Sequence, residues 1–579
     1  MENRLYDHLL IEYTQLMRSF LAWLDDIADV SGETGLVLWL DRAAFAFLVL
    51  MVVAAPHSIA ATQTAWLTGM TAWLILLALR WQRSHTATAA ASPLLDRRAR
   101  WLGYSLWAFF LWSVVSSIFS YEPAISIDRL RGVSIFLIFL YVVGNVRSRR
   151  SACFLALVLI FSCMINVAWT PVERLIGRGV EIHGMTRNGP LDKAAIFDGD
   201  TLLEVNKQKV RTPEDVVAEL QQQEISEVKF YRPDFDAVMP VRRSDLLPGE
   251  TALEKLGIAG WSKSHNWRSR GFYGHYTTYA EVLQLIVSLL FGIVIAGIGR
   301  RRTPVENNAS KNGSAGVDES DQSADLPSRP FWPFSSNLVL IVCLAGMCFA
   351  LLLTVTRASQ LAFMISAFLI IVLGASRKMA IAAMLLAVPV VLGGLLFLQQ
   401  SRNTGFFDPK DESTRYRFVM WRDGMRLWTD SPRNLAFGVG MDSIQKHWRE
   451  WGLYEGGYLP MGHFHSTLVQ ILVERGLPAL AFWLVAIGLY IWILVRALIS
   501  LRFRPPPPAR GDPHYDVLSR GIMLGCLGGA VGFFASGIVH NNLGDQEVAM
   551  VFYLLMGLGV RTAGFVGRTE ERAAAEQRS

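Results

Sequence analysis

The sequence predicts a polytopic α-helical membrane protein with about 12 transmembrane helices and a small α+β insertion on the outer face. Three observations carry that prediction. Hydrophobic residues fill 52% of the 579 positions and charged residues only 18%, with 32 Phe, 18 Trp and 18 Met, a balance foreign to a water-soluble protein of this length. Apolar runs close to the ~20 residues of a bilayer crossing recur along the chain. Arg-rich loops separate them and all fall on one side when the runs alternate.

The net charge of +6 therefore reads as topology, and no nucleic-acid partner is expected. Cys153, Cys163, Cys343, Cys348 and Cys526 all lie in apolar segments without Cys-x-x-Cys spacing, as small core residues do.

Residues 1–35 are expected to hold a cytoplasmic interfacial helix, since Leu5, Leu9, Tyr13, Leu16, Phe20, Leu24 and Ile27 recur at helical spacing. A signal peptide would need a basic start, an apolar stretch and a small-residue cleavage site, and that pattern is missing. Spans are expected at roughly 43–59, 62–81, 101–120, 132–146 and 152–170 (the segment 36–170), and at 277–298 within 251–302. They continue at 336–354, 359–375 and 379–398 (336–398), and at 478–497, 519–539 and 547–563 (478–566). Arg80, Arg83, Arg97, Arg98 and Arg100, then Arg147, Arg149 and Arg150, Arg300 to Arg302, Arg377 with Lys378, and Arg496, Arg502, Arg504 and Arg510 share one side, which makes both termini cytoplasmic. The segment 303–335, rich in Ser, Asn, Gly and Asp, is expected to be a disordered cytoplasmic linker, and 567–579 a cytoplasmic tail. Pro505 to Pro508 form a stiff loop spacer.

Two long segments remain outside, 171–250 and 399–477. In the first, Phe197-Asp198-Gly199-Asp200-Thr201-Leu202-Leu203-Glu204-Val205-Asn206 precedes a helical stretch from Pro213 to Gln222 and strand-like runs at 228–232 and 237–241. Over 179–243 this resembles a PDZ domain of the bacterial type. The resemblance implies peptide capture by strand addition. Leu175 to Gly179 is the one candidate for a carboxylate-binding loop, so a scaffold and a peptide-binding module both stay open. PDZ modules accompany membrane proteases, yet neither His-Glu-x-x-His nor Gly-x-Ser-x-Gly occurs in the sequence.

Four further stretches converge on the outer face. Arg268 to His275 precedes a span, Thr354-Val355-Thr356-Arg357 sits at a span mouth, Arg417 to Gly440 carries Trp421 and a Gly-x-Gly turn, and Gly462-His463-Phe464-His465 opens a helix running to Gly476. In this order they resemble the motifs of the bacterial O-antigen ligase and polymerase superfamily, over roughly 260–565. The resemblance implies a metal-independent transferase that takes a glycan from an undecaprenyl diphosphate-linked donor at the periplasmic face of the inner membrane. Ser466 stands where that family usually has Asn, and Tyr276-Thr277 where it has Pro-Asn. These departures bear on the acceptor more than on the reaction.

Such a reaction needs a base for the acceptor hydroxyl and cations for the departing diphosphate. Histidine titrates near ~6.5 and guanidinium forks match phosphate oxygens. His465 is therefore the expected catalytic base, Arg268, Arg357 and Arg417 the expected diphosphate ligands, and His275 and His463 further substrate-binding residues. Arg357 also fits a snorkelling anchor, and Arg415, Arg422 and Arg426 beside Phe418, Trp421, Met425 and Trp428 fit an interfacial helix. Asp408, Asp411, Glu412, Asp423, Asp430 and Asp442 read as a solvated charge mix, and with no oxygen-rich metal loop or Asp-x-Asp among them no metal or other cofactor is expected.

The expected partners are the lipid-linked donor, a lipid A-core or other glycan or protein acceptor, membrane lipids, and a peptide or protein for the PDZ-like domain. The same motifs fit an O-antigen or exopolysaccharide polymerase or a protein O-oligosaccharyltransferase. A different class, a non-enzymatic assembly or transport component, recruits partners through the insertion. Gly476 and Pro478 should break the His465 helix from the span that follows, with Ser466, Gln470 and Glu474 on one polar face.

Overall fold

The computed structural model describes residues 19, 21–30, 34–84, 97–232, 235–300, 337–382, 385, 412–457, 462–502 and 513–576. The expected linker at 303–335, the four prolines at 505–508, most of the N-terminal helix and most of the span at 379–398 lie outside the described residues. The chain divides into two compact units, one comprising Met1–Met164, Ala280–Cys348 and Arg357–Ser579, the other Ile165–Tyr279 and Phe349–Thr356.

Among the described residues nine helices are long and apolar enough to cross a membrane: Leu36–Ala54, Ile59–Arg83, Ala99–Ile118, Arg149–Ile176, Tyr276–Ile298, Arg357–Gly374, Thr467–Leu501, Tyr515–Gly537 and Gln546–Val566. Asn337–Leu353 is apolar but only 17 residues long. At ~1.5 Å per residue it reaches about 26 Å, just short of the ~30 Å hydrocarbon core.

The first span starts at Leu36, earlier than the expected 43, because Asp41 lies inside the helix and not on its flank. Asp41 is 1% exposed and accepts hydrogen bonds from Arg80 at 2.9 Å and Arg147 at 2.8 Å. A buried carboxylate is tolerated when so paired. Two helices and the turn that bears Arg147 are thereby stapled at one point. Pro56 lies in the turn after this helix, and the next begins at Ile59, ahead of the expected 62.

The segment expected to cross at 132–146 begins earlier, as the helix Pro123–Val133, and continues through the 3₁₀ turn Ser134–Phe136 into Leu137–Asn145. Val133, Ser134 and Leu137 all keep right-handed helical angles, so the path is continuous. Asp128, Arg129 and Arg131 in its first turns resemble a loop by composition, which hid the true start. Elsewhere in this unit, Tyr276–Arg300 and Pro513–Gly537 pack backbone against backbone. A Cβ on Gly292 would stand 2.3 Å from the Gly525 nitrogen, so only glycine permits this approach.

The second unit holds a six-stranded antiparallel sheet: β1 (Arg178–Met185), β2 (Thr201–Val205), β3 (Gln208–Lys209), β4 (Ile225–Arg232), β5 (Phe235–Arg242) and β6 (Ile258–Ser264). Its order is β5-β4-β2-β1-β6, with β3 paired to β2. Val180 and Ile182 of β1 and Val228 and Phe230 of β4 alternate inward, and with Leu202 and Val205 of β2 they meet Val216 and Leu220 of the helix Pro213–Leu220. The Gly-Asp stretch holds this core in place. Asp200, 2% exposed, accepts the Phe197 N–H at 2.8 Å and the Arg232 guanidinium at 2.9 and 2.6 Å. Asn206 accepts the Glu227 N–H at 3.0 Å, joining β2 to β4. The sheet reaches beyond the expected limit at residue 250, because β6 completes it.

Candidate functional site

Gly462 to Ser466 form a short loop pinned by its central residue. Phe464 is fully buried among Met420, Tyr454 and Val473. Its N–H donates to Gln470 Oε1 at 2.8 Å, and its carbonyl accepts the Trp421 indole N–H at 3.0 Å. The histidines on either side are half-buried, with ring centroids 4.2 Å apart. His465 takes a left-handed backbone (φ 47°), and its N–H donates to His463 Nδ1 at 3.1 Å. A non-glycine residue adopts that conformation at a cost of roughly 1–2 kcal/mol, which the Phe464 anchor offsets.

The helix that follows begins at Thr467, whose N–H donates to the His540 carbonyl at 2.9 Å and whose hydroxyl donates to Asn542 at 2.8 Å. It breaks at Gly476 (φ 77°), as the sequence predicts. The three carbonyls left over at the break are all satisfied: Val473 by the Val439 N–H, Glu474 by the Gly440 N–H, and Arg475 by the Trp112 indole. A Cβ on Gly476 would stand 2.0 Å from the Ala436 carbonyl oxygen. The predicted polar face exists but points inward, with Ser466, Gln470 and Glu474 at 2%, 5% and 4% exposure.

Gln470 and Glu474 wall a cavity of about 290 Å³ together with His463, Arg129, Asp442 and Arg475. Arg129 forms an ion pair with Asp442. Glu474 Oε1 accepts the Asp442 N–H at 3.0 Å, and Glu474 Oε2 stands 4.0 Å from the Arg475 guanidinium. The Arg475 guanidinium lies 5.4 Å from the Phe109 ring centroid, and its Nε is buried with no hydrogen-bond partner among the described residues. Cations, carboxylates and amides together make a cavity suited to a polar ligand.

Next to the cavity, the helix Ser443–His447 is tied to Glu122. His447 lies between Glu450 Oε2 at 2.7 Å and Glu122 Oε1 at 2.9 Å, and Lys446 reaches the same Glu122 oxygen at 2.8 Å. The Glu450 hydrogen bond, followed by that to Glu122, raises the His447 pKa against the opposing effect of burial. Lys446, then His447, holds the Glu122 carboxyl below its usual range.

Of the residues singled out from sequence, His463 lines this cavity and His465 adjoins His463. Arg357 begins the helix Arg357–Gly374, and Arg417 lies half-buried on the helix Glu412–Thr429; neither lines the cavity. Arg268 and His275 belong to the second unit. There Arg268 donates to the Tyr276 hydroxyl at 2.9 Å and lies over its ring, and His275 Nδ1 accepts the Thr277 N–H at 3.2 Å. The solvated reading of two acids is corrected. Asp423 is 3% exposed and accepts the Tyr454 N–H at 3.0 Å, while Asp442 is paired at the cavity. Arg129 and Arg475 escaped the sequence analysis; each borders an apolar run and reads there as a membrane-edge charge.

Many apolar helices, and a polar arginine-bearing cavity bounded by a bent helix and a histidine loop, define a multi-pass membrane protein with a site for a polar ligand. Residues 341–484 match the family model described as O-antigen ligase, and the match supports the O-antigen ligase and polymerase superfamily for this chain. No curated protein matches the chain. The matched segment contains the helix bearing Arg417, both loop histidines and the break at Gly476.

Proposed function

We propose that the protein transfers a glycan from an undecaprenyl diphosphate carrier to an acceptor hydroxyl at the periplasmic face of the inner membrane, without a metal ion. The observation that carries this reading is the cavity beside the His463–His465 pair, within the segment that matches the O-antigen ligase family. His465 acts as general base on the acceptor hydroxyl, with His463 accepting its backbone N–H and facing the cavity. As the acceptor oxygen bonds to the anomeric carbon, the bond to the diphosphate oxygen breaks and the lipid diphosphate leaves. Arg268, Arg357 and Arg417 neutralise it, and His275 contacts the donor. The buried Arg475 and the Arg129–Asp442 pair supply further charge at the cavity. The acceptor is a hydroxyl of a lipid A-core, of a growing O-antigen or exopolysaccharide chain, or of a protein, all of which use the same chemistry.

The test is transfer in isolated membranes supplied with lipid-linked glycan. His465→Ala should abolish transfer at normal protein levels, and transfer by the parent protein should withstand chelator. Normal transfer by His465→Ala would remove the catalytic assignment and favour a non-enzymatic assembly or transport role. The glycan lost on deletion of the gene separates ligase from polymerase.

A further inference from the structure

The helix that follows the histidine loop starts on a carbonyl supplied from elsewhere in the chain. Thr467 donates its N–H to the His540 carbonyl at 2.9 Å, which satisfies one of the N–H groups that a helix start leaves without an internal partner. His540 is itself held. Its Nδ1 lies 2.8 Å from Oε1 of Glu281, on the helix Tyr276–Arg300, and the two side chains are 12% and 4% exposed. An ionised carboxylate only accepts, so the Nδ1–H donates. A carboxylate buried in a membrane-crossing helix is tolerated where such a partner answers it.

His540 belongs to the turn between the helices Pro513–Gly537 and Gln546–Glu576, and the turn has two sides. His540 and Asn542 tie it down. The buried Asn542 donates to the Phe533 carbonyl at 2.7 Å and to the Ser536 hydroxyl at 2.9 Å, and it accepts the Thr467 hydroxyl at 2.8 Å. Asn541, Leu543 and Gly544, interleaved with these anchors, line the cavity. His465 stands two residues before Thr467. The buried Phe464 fixes the loop on one side of it and the Thr467–His540 contact on the other, so its left-handed backbone is held from both ends.

We propose that Glu281 and His540 are positioning residues for the transfer: the carboxylate sets the His540 ring, the His540 carbonyl sets the first turn of the histidine helix, and that turn sets His465. The role of His465 rests on the transfer reading above, whereas the anchoring of Thr467 through His540 does not. A displacement of about 1 Å in a catalytic group costs on the order of a hundredfold in rate. Loss of the carboxylate therefore shows as a fall in kcat larger than any rise in KM.

The test combines hydrogen exchange and transfer kinetics on the full-length protein in detergent, with a lipid-linked glycan as donor. Glu281→Ala should accelerate exchange at the Thr467 amide about tenfold while residues 548–555 stay protected, and should lower kcat at least about tenfold with KM changed less than about twofold. Glu281→Gln keeps a carbonyl oxygen for the Nδ1–H and should lose less of both. Glu281→Ala leaves the His540 N–H buried without its acceptor, which threatens folding. The paired change Glu281→Leu with His540→Phe removes both polar groups together, is far milder for stability, and should show the same loss of kcat. Parental exchange at Thr467 in Glu281→Ala, or parental kcat in the paired variant, would overturn the proposal. Faster exchange with parental kcat, in a protein that His465→Ala inactivates, would also overturn it, because the base then needs no such anchor. Normal transfer by His465→Ala would remove the base together with its support, so the two failures are told apart by which substitution is silent.

Discussion

Glu474 accepts the backbone N–H of Asp442 at 3.0 Å, which fastens the loop after the Gly438–Gly440 turn to the last turn of the histidine helix. Asp442 in turn engages Arg129. A chain of contacts from side chain to backbone and from side chain to side chain thus crosses one wall of the cavity.

Removing the acceptor should loosen that wall. Glu474→Ala leaves the Asp442 N–H without its partner and should destabilise the protein by about 1–3 kcal/mol. Glu474→Gln keeps an acceptor oxygen and should lose less. Thermal unfolding in detergent compares the two; equal losses would mean that charge, and not the hydrogen bond, is what matters.

Gly476→Ala should be worse tolerated than an ordinary surface change. The φ of 77° disfavours any side chain, and the Cβ would meet the Ala436 carbonyl. A loss of at least ~2 kcal/mol is expected from strain and steric conflict together. An unfolding temperature equal to the parent's would show that the bend readily relaxes.

Arg475→Lys separates charge from shape. The ammonium keeps the positive charge near Glu474 but loses the planar guanidinium that lies over Phe109. Transfer should fall at least about tenfold with normal expression, and full activity in Arg475→Lys would show that a positive charge suffices there and that the planar guanidinium is not needed.

The tie between His447 and Glu122 should respond to pH. The folded-state pKa of His447 is raised, so its stabilising contribution is fully present below the unfolded-state value and is lost as pH rises through the folded-state value. Stability measured from pH 5 to 9 should decline over that window, and His447→Gln should flatten the decline. A pH profile unaltered by the substitution would remove His447 as its source.

Much of the framework is legible in the sequence, because helical spans and the glycine break depend on local composition and backbone chemistry. Gly476 with Pro478 announces the bend, and Gly199-Asp200 announces the turn that Arg232 locks. The cavity is less legible. Arg129 looks like a membrane-edge charge until Asp442, distant in sequence, is brought to it, and Arg475 until Phe109 is. Asp423 looks solvated because nothing nearby announces that the Tyr454 backbone will meet it. The strand β6 escapes notice for another reason: Ile258 to Ser264 alternates poorly, and its register comes from β1 rather than from its own pattern.

Asp41 has a consequence for the order of assembly. Its partner Arg147 lies 106 residues further along the chain. At ~5–20 residues per second, on the order of 5–20 s of synthesis separate the two. During that interval the first helix carries an acid answered at most by Arg80, so it has reason to linger beside the translocation machinery until the later segment arrives. Asp41→Asn would free the helix to leave early, making the timing of membrane release, as well as final stability, a property written into one carboxylate.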